Sequence, residues 1–195
     1  MDTYDTLVLT GASQKGFVIL GALQYAIDNY LIKDVTTYIG TSSGAIISYL
    51  LIIGYTPIEM VVYLCTNKVF EQLQNINIMD MFQGKGAISF QSIHEHLEKM
   101  TISKIGYLPT LQNLLEKYNK TLICITHNIT DNKTEYLSPD NYPTLPCITA
   151  LRMSSNIPGI FEKFKYGHAF YIDGGVSDNL KIYKIKGYYF IEVKN

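Results

Sequence analysis

The sequence predicts an α/β protein, because short apolar strands alternate with helices of apolar periodicity along most of the chain. Two strand–loop–helix units near the start carry this prediction. A strand predicted at residues 6–10 leads through a glycine-bearing loop into a helix at 17–30. A strand predicted at 35–39 leads through a second glycine-bearing turn into an apolar helix at 45–51. Short apolar runs that end at glycine-bearing turns are typical of strands buried in a core.

Length and composition predict a single domain, residues 1–195, that can bury a hydrophobic core. The formal net charge of −1, without a long basic run, argues against nucleic acid as the main partner. The three cysteines lack C-x-x-C spacing, which predicts a reducing compartment and no zinc site.

The start of the chain is polar and acidic, which predicts that no signal peptide is present. No run reaches the roughly 18 apolar residues that a membrane span needs. The nearest candidate, residues 45–53, is interrupted by Ser48. We therefore expect a cytoplasmic protein whose contact with membranes is peripheral.

The loop after the first predicted strand can present backbone N–H groups to an anion. It consists of Gly11, Ala12, Ser13, Gln14, Lys15 and Gly16. It is not the G-x-G-x-x-G of a dinucleotide site, because Ser13 stands at the second glycine position, and it lacks the Gly-Lys-Ser/Thr of a P-loop. A tight turn with a solvated lysine explains the loop equally well.

The turn after the second predicted strand carries the pattern G-x-S-x-G at residues 40–44. In a nucleophile elbow, this pattern holds a serine at a sharp strand-to-helix turn, and the glycines let the strand and the helix approach. The hydroxyl then lies at the positive end of the helix, where developing negative charge is stabilised. The pattern predicts Ser42 as a nucleophile, with Gly40 and Gly44 as the elbow glycines. A glycine-rich or phosphate-binding βα turn is the alternative.

The remaining elements continue the α/β alternation. Residues 56–59 combine a capping box with a proline at the first helical position, which predicts a helix at 57–73. We expect its apolar stripe to pack in the core, with a lipid-binding face as the alternative; the stripe consists of Ile58, Val61, Val62, Cys65, Val69 and Leu73. Further helices are predicted at 89–100, 109–118 and 147–154, and further strands at 121–127, 134–137, 162–164, 168–172 and 187–193.

The histidine spacing does not predict a metal site. His94 and His96 are two positions apart and therefore on different faces of their helix, whereas a helical metal pair needs positions i and i+4. His127, at the end of a predicted strand, is expected to be structural. No metal and no cofactor are predicted.

A serine nucleophile needs a neighbouring group that accepts its proton. Asp173 ends an apolar strand and precedes Gly174 and Gly175, which let a ligand or another backbone come close. An aspartate that is buried beside a serine is a stronger base than a free one. The sequence therefore favours Asp173 as the base, although a plain Asp-Gly turn would also explain these residues.

A different base is expected if the chain follows the α/β-hydrolase order of serine, acid and late histidine. The last histidine is His168, which would then pair with Asp131 or Asp140. His168 lies on a predicted tyrosine-flanked hairpin rather than on a late loop. Asp173 is therefore the preferred base.

The three motifs, taken in order, resemble the patatin-like phospholipase family. They are the glycine loop at 11–16, the G-x-S-x-G at 40–44 and the D-G-G at 173–175. Residues 40–47 and 54–57 are similar to the family's elbow and its two following helices, 150–158 to the stretch before its aspartate, and 173–179 to the aspartate motif. The resemblance covers residues 7–180.

The resemblance implies a three-layer α/β/α sandwich with a mostly parallel central sheet. It implies Ser42 as the nucleophile, Asp173 as the base, and the 11–16 loop as the oxyanion hole. The implied activity is a lipid acyl hydrolase that releases fatty acids from phospholipid or other lipid esters through an acyl-enzyme. Such an enzyme uses a Ser–Asp dyad without histidine, metal or cofactor, and meets its substrate at a membrane surface.

Two departures from the family pattern bear on activity. Ala12 and Ser13 replace glycines of the family's loop, and their Cβ atoms restrict the backbone that would hold the oxyanion donors. Lys181 stands where the family often has proline after the aspartate motif. The alternative function is therefore a weak or inactive lipid-binding or regulatory protein on the same scaffold.

Overall fold

The computed structural model of the chain describes residues 4–12, 16–69, 87–176 and 188–191, and its centre is a seven-stranded sheet. The strands are β1 (Thr6–Leu9), β2 (Thr37–Thr41), β3 (Thr121–Asn128), β4 (Lys133–Leu137), β5 (Phe164–Tyr166), β6 (Ala169–Asp173) and β7 (Tyr188–Ile191). The helices within the described ranges are α1 (Gly16–Asp28), α2 (Ser43–Ile52), α3 (Pro57–Thr66), α4 (Gln91–Ile105), α5 (Leu111–Tyr118) and α6 (Cys147–Ser154). The predicted α/β class is confirmed.

The sheet is mixed, with the strand order β5-β6-β3-β2-β1-β7 and with β4 also paired to β3. Strands β7, β1, β2 and β3 are parallel to one another, whereas β4 and β6 run antiparallel to β3, and β5 antiparallel to β6. Leu9 pairs with Gly40, and Gly40 pairs with Cys124, so the carboxyl ends of three parallel strands meet at one edge. Loops that follow parallel strands gather at such an edge, which is where α/β proteins place their sites.

The core lies mainly between the sheet and the helices. Apolar side chains of α1, α2, α5 and α6 form one cluster with residues such as Leu7 and Tyr38 from one face of the sheet. Val8, Ile39 and Ile125 alternate with them along the strands and form a second buried cluster. The two clusters follow from the pleat, which sends successive side chains to opposite faces.

Helix α3 begins as its sequence predicts. The Thr56 hydroxyl accepts a hydrogen bond from the Glu59 N–H at 3.2 Å, and the Glu59 carboxylate accepts one from the Thr56 N–H at 2.7 Å. This reciprocal pair is the predicted capping box. The helix ends at Thr66, earlier than predicted, and residues 70–86, including Leu73, lie outside the described part of the chain.

The core packing predicted for the α3 stripe is wrong for three of its members. Ile58 is 59% exposed, Val62 is 57% exposed, and Cys65 is also exposed. The helix packs against α1 and buries Pro57 and Met60 instead, so the part of its apolar stripe formed by Ile58, Val62 and Cys65 faces outward. Val61 is half-buried and Val69 is buried, as predicted.

The described residues hold free cysteines at all three positions: Cys65 is exposed, whereas Cys124 and Cys147 are buried. No single helix in the described ranges is long and apolar enough to cross a membrane. Helices α2 and α3 reach the required length and composition only as a pair, and they bend by 117° at their junction.

Candidate active site

Ser42 occupies the sharp turn between β2 and α2. Its backbone has φ 54° and ψ −128°, which a non-glycine residue rarely adopts and which stores strain. A Cβ atom on Gly40 would lie 2.5 Å from the Ala45 nitrogen, and one on Gly44 would lie 2.6 Å from the Thr10 carbonyl oxygen. Both glycines are therefore required for α2 to sit directly on the ends of β1 and β2. The turn is therefore sharp and closely packed, and the role of Ser42 as a nucleophile stays a prediction.

The backbone of Ser42 is tied to a helix that is distant in sequence. The Ser42 N–H donates a hydrogen bond to Ser154 Oγ at 3.0 Å, and the Ser154 hydroxyl donates to the Ile125 carbonyl oxygen at 2.6 Å. Ser154 is the last residue of α6 and is fully buried. The turn is thus anchored to the central strand β3 through one hydroxyl group.

Asp173 lies at the end of β6, beside Ser42, and only 4% of its surface is exposed. Its N–H donates to the Asn156 carbonyl oxygen at 2.9 Å, and its Oδ1 accepts a hydrogen bond from the Gly175 N–H at 2.8 Å. The Ser42 hydroxyl lies close enough to the carboxyl group to lower its pKa. The structure therefore brings the two residues singled out from the sequence into direct contact.

Burial raises the pKa of Asp173 above its usual value, and the hydrogen bonds from Ser42 and Gly175 lower it by less. Burial disfavours the charged form of a carboxyl group, whereas donors to the carboxylate favour it. A carboxylate with a raised pKa binds a proton more readily, so Asp173 is a stronger base than a solvated aspartate.

The two glycines after Asp173 have different surroundings. A Cβ atom on Gly174 would lie 2.6 Å from the Ile125 carbonyl oxygen, so only glycine fits against β3 there. Gly175 supplies the N–H that holds Asp173 Oδ1. The D-G-G motif thus places the carboxyl group by close backbone contact and then fixes its orientation.

The 11–16 loop is described at its two ends. A Cβ atom on Gly11 would lie 3.0 Å from Ser42 Cβ, which places the start of the loop against the nucleophile. The Ala12 N–H donates to Ser43 Oγ at 3.0 Å. Gly16 opens α1, and Ser13, Gln14 and Lys15 lie outside the described residues. Of this loop, Gly11 and Ala12 therefore lie against the turn that carries Ser42.

The histidines take no part in this arrangement. His168 precedes β6 on an exposed turn, with 83% of its side chain exposed, and its Nε2 lies 4.0 Å from Asp131 Oδ2. Asp173 is at the other end of β6, about 15 Å away along an extended strand. His94 pairs with Glu98 at 3.2 Å. His168 therefore cannot serve Ser42 as the α/β-hydrolase alternative requires.

His96 and His127 are also used elsewhere in the fold. His96 Nδ1 is 3.0 Å from the Tyr63 hydroxyl, and burial is the main cause that lowers its pKa. His127 lies on β3, where it pairs with Thr134 and Ile172. In the part of the chain that the structure describes, no three His, Cys, Asp or Glu side chains are grouped closely enough to hold a metal ion.

Sequence reasoning missed the residues that position the pair. Ser154, Asn156 and Thr126 contact the backbone of the site but are not singled out by any motif role. Ser154 and Asn156 do fall within residues 150–158, which resemble the family segment before the aspartate. That resemblance was the only available signal, and it gave no role to either side chain.

The sequence matches the profile of the family described as "Patatin-like phospholipase" over residues 7–183. A protein named "Probable lipid hydrolase" from Invertebrate iridescent virus 6 is 37% identical over 185 residues, which cover 92% of this chain and 62% of that protein. An uncharacterized protein of Acanthamoeba polyphaga mimivirus is 28% identical over 184 residues, which cover 90% of this chain and 59% of that protein. The chain spans less than two thirds of the length of these relatives.

Solved structures show the same fold. VipD from Legionella pneumophila superimposes with a TM-score of 0.60 at 18% identity, over 91% of this chain and 47% of VipD. The type III effector ExoU gives a TM-score of 0.51 at 15% identity, over 80% of this chain and 40% of ExoU. Full-length ExoU from Pseudomonas aeruginosa, in complex with SpcU, gives 0.53. The fold class predicted from the sequence is confirmed by these likenesses.

Proposed function

The chain belongs to the patatin-like phospholipase family, and from this premise we propose that it hydrolyses lipid esters by a Ser42–Asp173 dyad. The observation that supports the proposal most strongly is that the Ser42 hydroxyl lies beside the buried carboxyl group of Asp173, close enough to lower its pKa. The strained turn at Ser42 and the raised pKa of Asp173 are the features that a nucleophile and its base need.

In the proposed first step, the Ser42 hydroxyl attacks the carbonyl carbon of a fatty acyl ester. The hydroxyl proton passes to the Asp173 carboxylate as the new C–O bond forms. When the tetrahedral intermediate collapses, the protonated Asp173 returns the proton to the departing alcohol oxygen. The products of this step are an alcohol and an acyl group esterified to Ser42.

In the proposed second step, water hydrolyses the acyl-enzyme. Asp173 removes a proton from the water molecule as the water oxygen attacks the acyl carbon. The proton then passes from Asp173 to Ser42 Oγ as the fatty acid leaves. The raised pKa of Asp173 supports both proton transfers, because a base works best when its pKa is closer to the working pH.

The negative charge on the intermediate needs nearby N–H donors. Helix α2 begins at Ser43, and the first turn of a helix leaves N–H groups without intrahelical partners at its positive end. The start of the 11–16 loop lies against Ser42 from the other side. We propose that these two backbone segments together form the oxyanion hole.

The proposed substrate is a phospholipid or another lipid ester that is taken from a membrane surface. Several large apolar side chains are exposed on α1 and α3, including Val18, Ile58 and Val62. Helix α1 begins directly after the loop beside Ser42, so the exposed Val18 lies in the first turn after that loop. Peripheral membrane contact and a cytoplasmic location are part of the proposal.

The competing function is a lipid-binding or regulatory protein that is weakly active or inactive. The observation in its favour is that the Ala12 N–H is already bonded to Ser43 Oγ, which occupies one candidate oxyanion donor. The two proposals differ in whether Ser42 reacts at all.

Labelling with a fluorophosphonate probe separates them, together with release of p-nitrophenol from a medium-chain ester. An active hydrolase takes the label and releases p-nitrophenol, and a Ser42→Ala variant does neither. A folded parent protein that takes no label and releases no product would favour the binding function.

A further inference from the structure

The Ser154 side chain joins the turn that carries Ser42 to the central strand β3 by two hydrogen bonds. Its Oγ accepts the Ser42 N–H at 3.0 Å and donates to the Ile125 carbonyl oxygen at 2.6 Å. The first of these bonds links residues that are 112 positions apart, and Ser154 is 0% exposed. With both its acceptor and its donor roles used inside the protein, this hydroxyl is fully committed to the site's backbone.

Thr126, the residue of β3 that follows Ile125, also contacts β6, the strand that ends in Asp173. The Thr126 hydroxyl lies 2.8 Å from the Met153 carbonyl oxygen and 2.9 Å from that of Ile172. Asp173 itself pairs with Thr126 across the sheet. The last two residues of α6 therefore both contact the site. Ser154 contacts the turn that carries Ser42. The Met153 carbonyl oxygen contacts Thr126 of β3.

Gly174 adds a further contact to this arrangement. Its backbone approaches the Ile125 carbonyl oxygen so closely that a Cβ atom there would be 2.6 Å away. That carbonyl oxygen is also the acceptor for the Ser154 hydroxyl. One peptide group of β3 thus touches the segment after Asp173 and, through Ser154, the segment that carries Ser42.

Ser42 needs such a restraint because its backbone is strained. A residue in a rarely populated φ/ψ region stays there only when its surroundings fix it. The N–H direction defines the orientation of the peptide that enters the turn, so the hydrogen bond to Ser154 opposes relaxation of φ away from 54°. Relaxation of that torsion would move the Ser42 hydroxyl away from the Asp173 carboxyl group.

We propose that Ser154 is a positioning residue. It holds Ser42 in its reactive conformation and sets the position of the Ser42 hydroxyl relative to Asp173. The inference rests on the proposed function, because it concerns the dyad of that same site. A purely structural Ser154 would stabilise the fold and leave turnover by folded protein unchanged. A positioning Ser154 controls the rate at Ser42 and leaves substrate binding nearly unchanged.

The test compares Ser154→Ala with Ser48→Ala. Ser48 is a matched control, because it is also 0% exposed and its hydroxyl has no hydrogen-bond partner among the described residues. At equal folded fraction, Ser154→Ala is expected to lower kcat on a soluble ester by about 10- to 100-fold with KM within about twofold, as a small misplacement does. Labelling by a fluorophosphonate should slow by a similar factor. Ser48→Ala should keep the parent kcat.

A second variant keeps the test decisive if Ser154→Ala does not fold. Ser154→Cys preserves the size of the side chain, but sulfur is a weak acceptor, so kcat should fall while the fold is retained. A kcat equal to the parent in either folded Ser154 variant would overturn the positioning role and leave the proposed function standing. A parent protein that takes no fluorophosphonate label overturns the proposed function and this inference with it.

Discussion

The turns after β1 and β2 follow neighbouring parallel strands and meet at Ser42, yet they differ in how much change they accept. In the turn after β2, Gly40 and Gly44 are in backbone contact so close that a Cβ atom would overlap main-chain atoms. In the turn after β1, Gly16 has nothing within 4 Å of its Cβ position, and Ala12 already carries a Cβ atom. Gly40 and Gly44 are thus fixed by close backbone packing, whereas Gly16 has room for a side chain.

This difference indicates which glycine positions in the two turns tolerate substitution. The elbow sets the position of the nucleophile through helix packing, so a change there affects the fold. In the proposed mechanism the loop contributes N–H donors, and an alanine there keeps its N–H while restricting its backbone. Alanine at position 12 is therefore compatible with the same fold, and in the proposed mechanism it affects the rate.

The largest expected effect is that of Asp173→Asn, which removes the base and keeps the shape of the side chain. We expect kcat to fall about 10⁴-fold, by analogy with replacing the carboxylate of a catalytic triad. In the parent, kcat/KM should rise with pH through the raised pKa of Asp173, and this limb should be absent from the variant's residual rate. The pH–rate profiles of both proteins provide the measurement.

The same variant should be more stable than the parent at neutral pH. A carboxyl group whose pKa is raised in the folded state contributes stability that is fully present below its unfolded pKa and is lost as pH rises through the folded pKa. Asparagine does not ionise, so the variant does not lose this stability as the pH rises. Thermal unfolding at neutral and acidic pH should show a gain for Asp173→Asn only at the higher pH; an equal effect at both would contradict the burial of an ionised Asp173.

The second expected effect concerns the loop. Restoring glycine in the double variant Ala12→Gly and Ser13→Gly should raise kcat, by up to about 10²-fold if one oxyanion donor is currently misplaced, because a lost donor costs 10²–10³ in rate. KM should hardly change, since only binding of the transition state improves. The measurement is kcat at matched folded fraction. An unchanged or lower kcat would mean that the 11–16 loop, with Ala12 and Ser13 in place, already positions its N–H donors correctly.

The third expected effect is a loss of stability when the turn after β2 is disrupted. Gly44→Ala places a Cβ atom 2.6 Å from the Thr10 carbonyl oxygen, and backbone cannot yield as a side chain does. We expect the free energy of unfolding to fall by about 3 kcal/mol or more, which lowers Tm by roughly 6–12 °C. Gly16→Ala in the other turn is the matched control and should change Tm by less than about 3 °C. Equal Tm values for the two variants would remove the contrast between the turns.

The smallest expected effect is that of replacing histidines. His168 is exposed and remote from Asp173, and His94 pairs with Glu98 on the surface of α4. Alanine at either position should keep at least about a tenth of the parent activity, because neither side chain reaches the proton of Ser42. Activity of the folded variants on a soluble ester checks this. A loss of several orders of magnitude at His168 would return the α/β-hydrolase triad to consideration.

The parts of the candidate site that could be located from the sequence are those encoded by short, contiguous motifs. Residues 40–44 and 173–175 each combine a candidate catalytic side chain with glycines that allow one particular close approach. Their contact with each other depends on the pairing of β2 and β6 with β3, which no local pattern states. The family resemblance supplied that pairing.

Other features could not be predicted because they depend on tertiary packing. The role of Ser154 arises only when the end of α6 meets the turn after β2. The outward face of α3 was missed because apolar periodicity shows that a helix has an apolar stripe, but not which neighbour covers it. Ile58 and Val62 lie on that stripe and are exposed, since α3 turns its Pro57 and Met60 face inward.

The central claim is that Ser42 carries the acyl group while Asp173 serves as its base. The most direct measurement is to label the parent protein with a fluorophosphonate and to map the adduct by mass spectrometry, alongside Ser42→Ala and Asp173→Asn. We predict one adduct on Ser42, none in Ser42→Ala, and labelling of Asp173→Asn that is slowed by orders of magnitude. An adduct on another serine, or labelling of Asp173→Asn at the parent rate, would contradict the dyad.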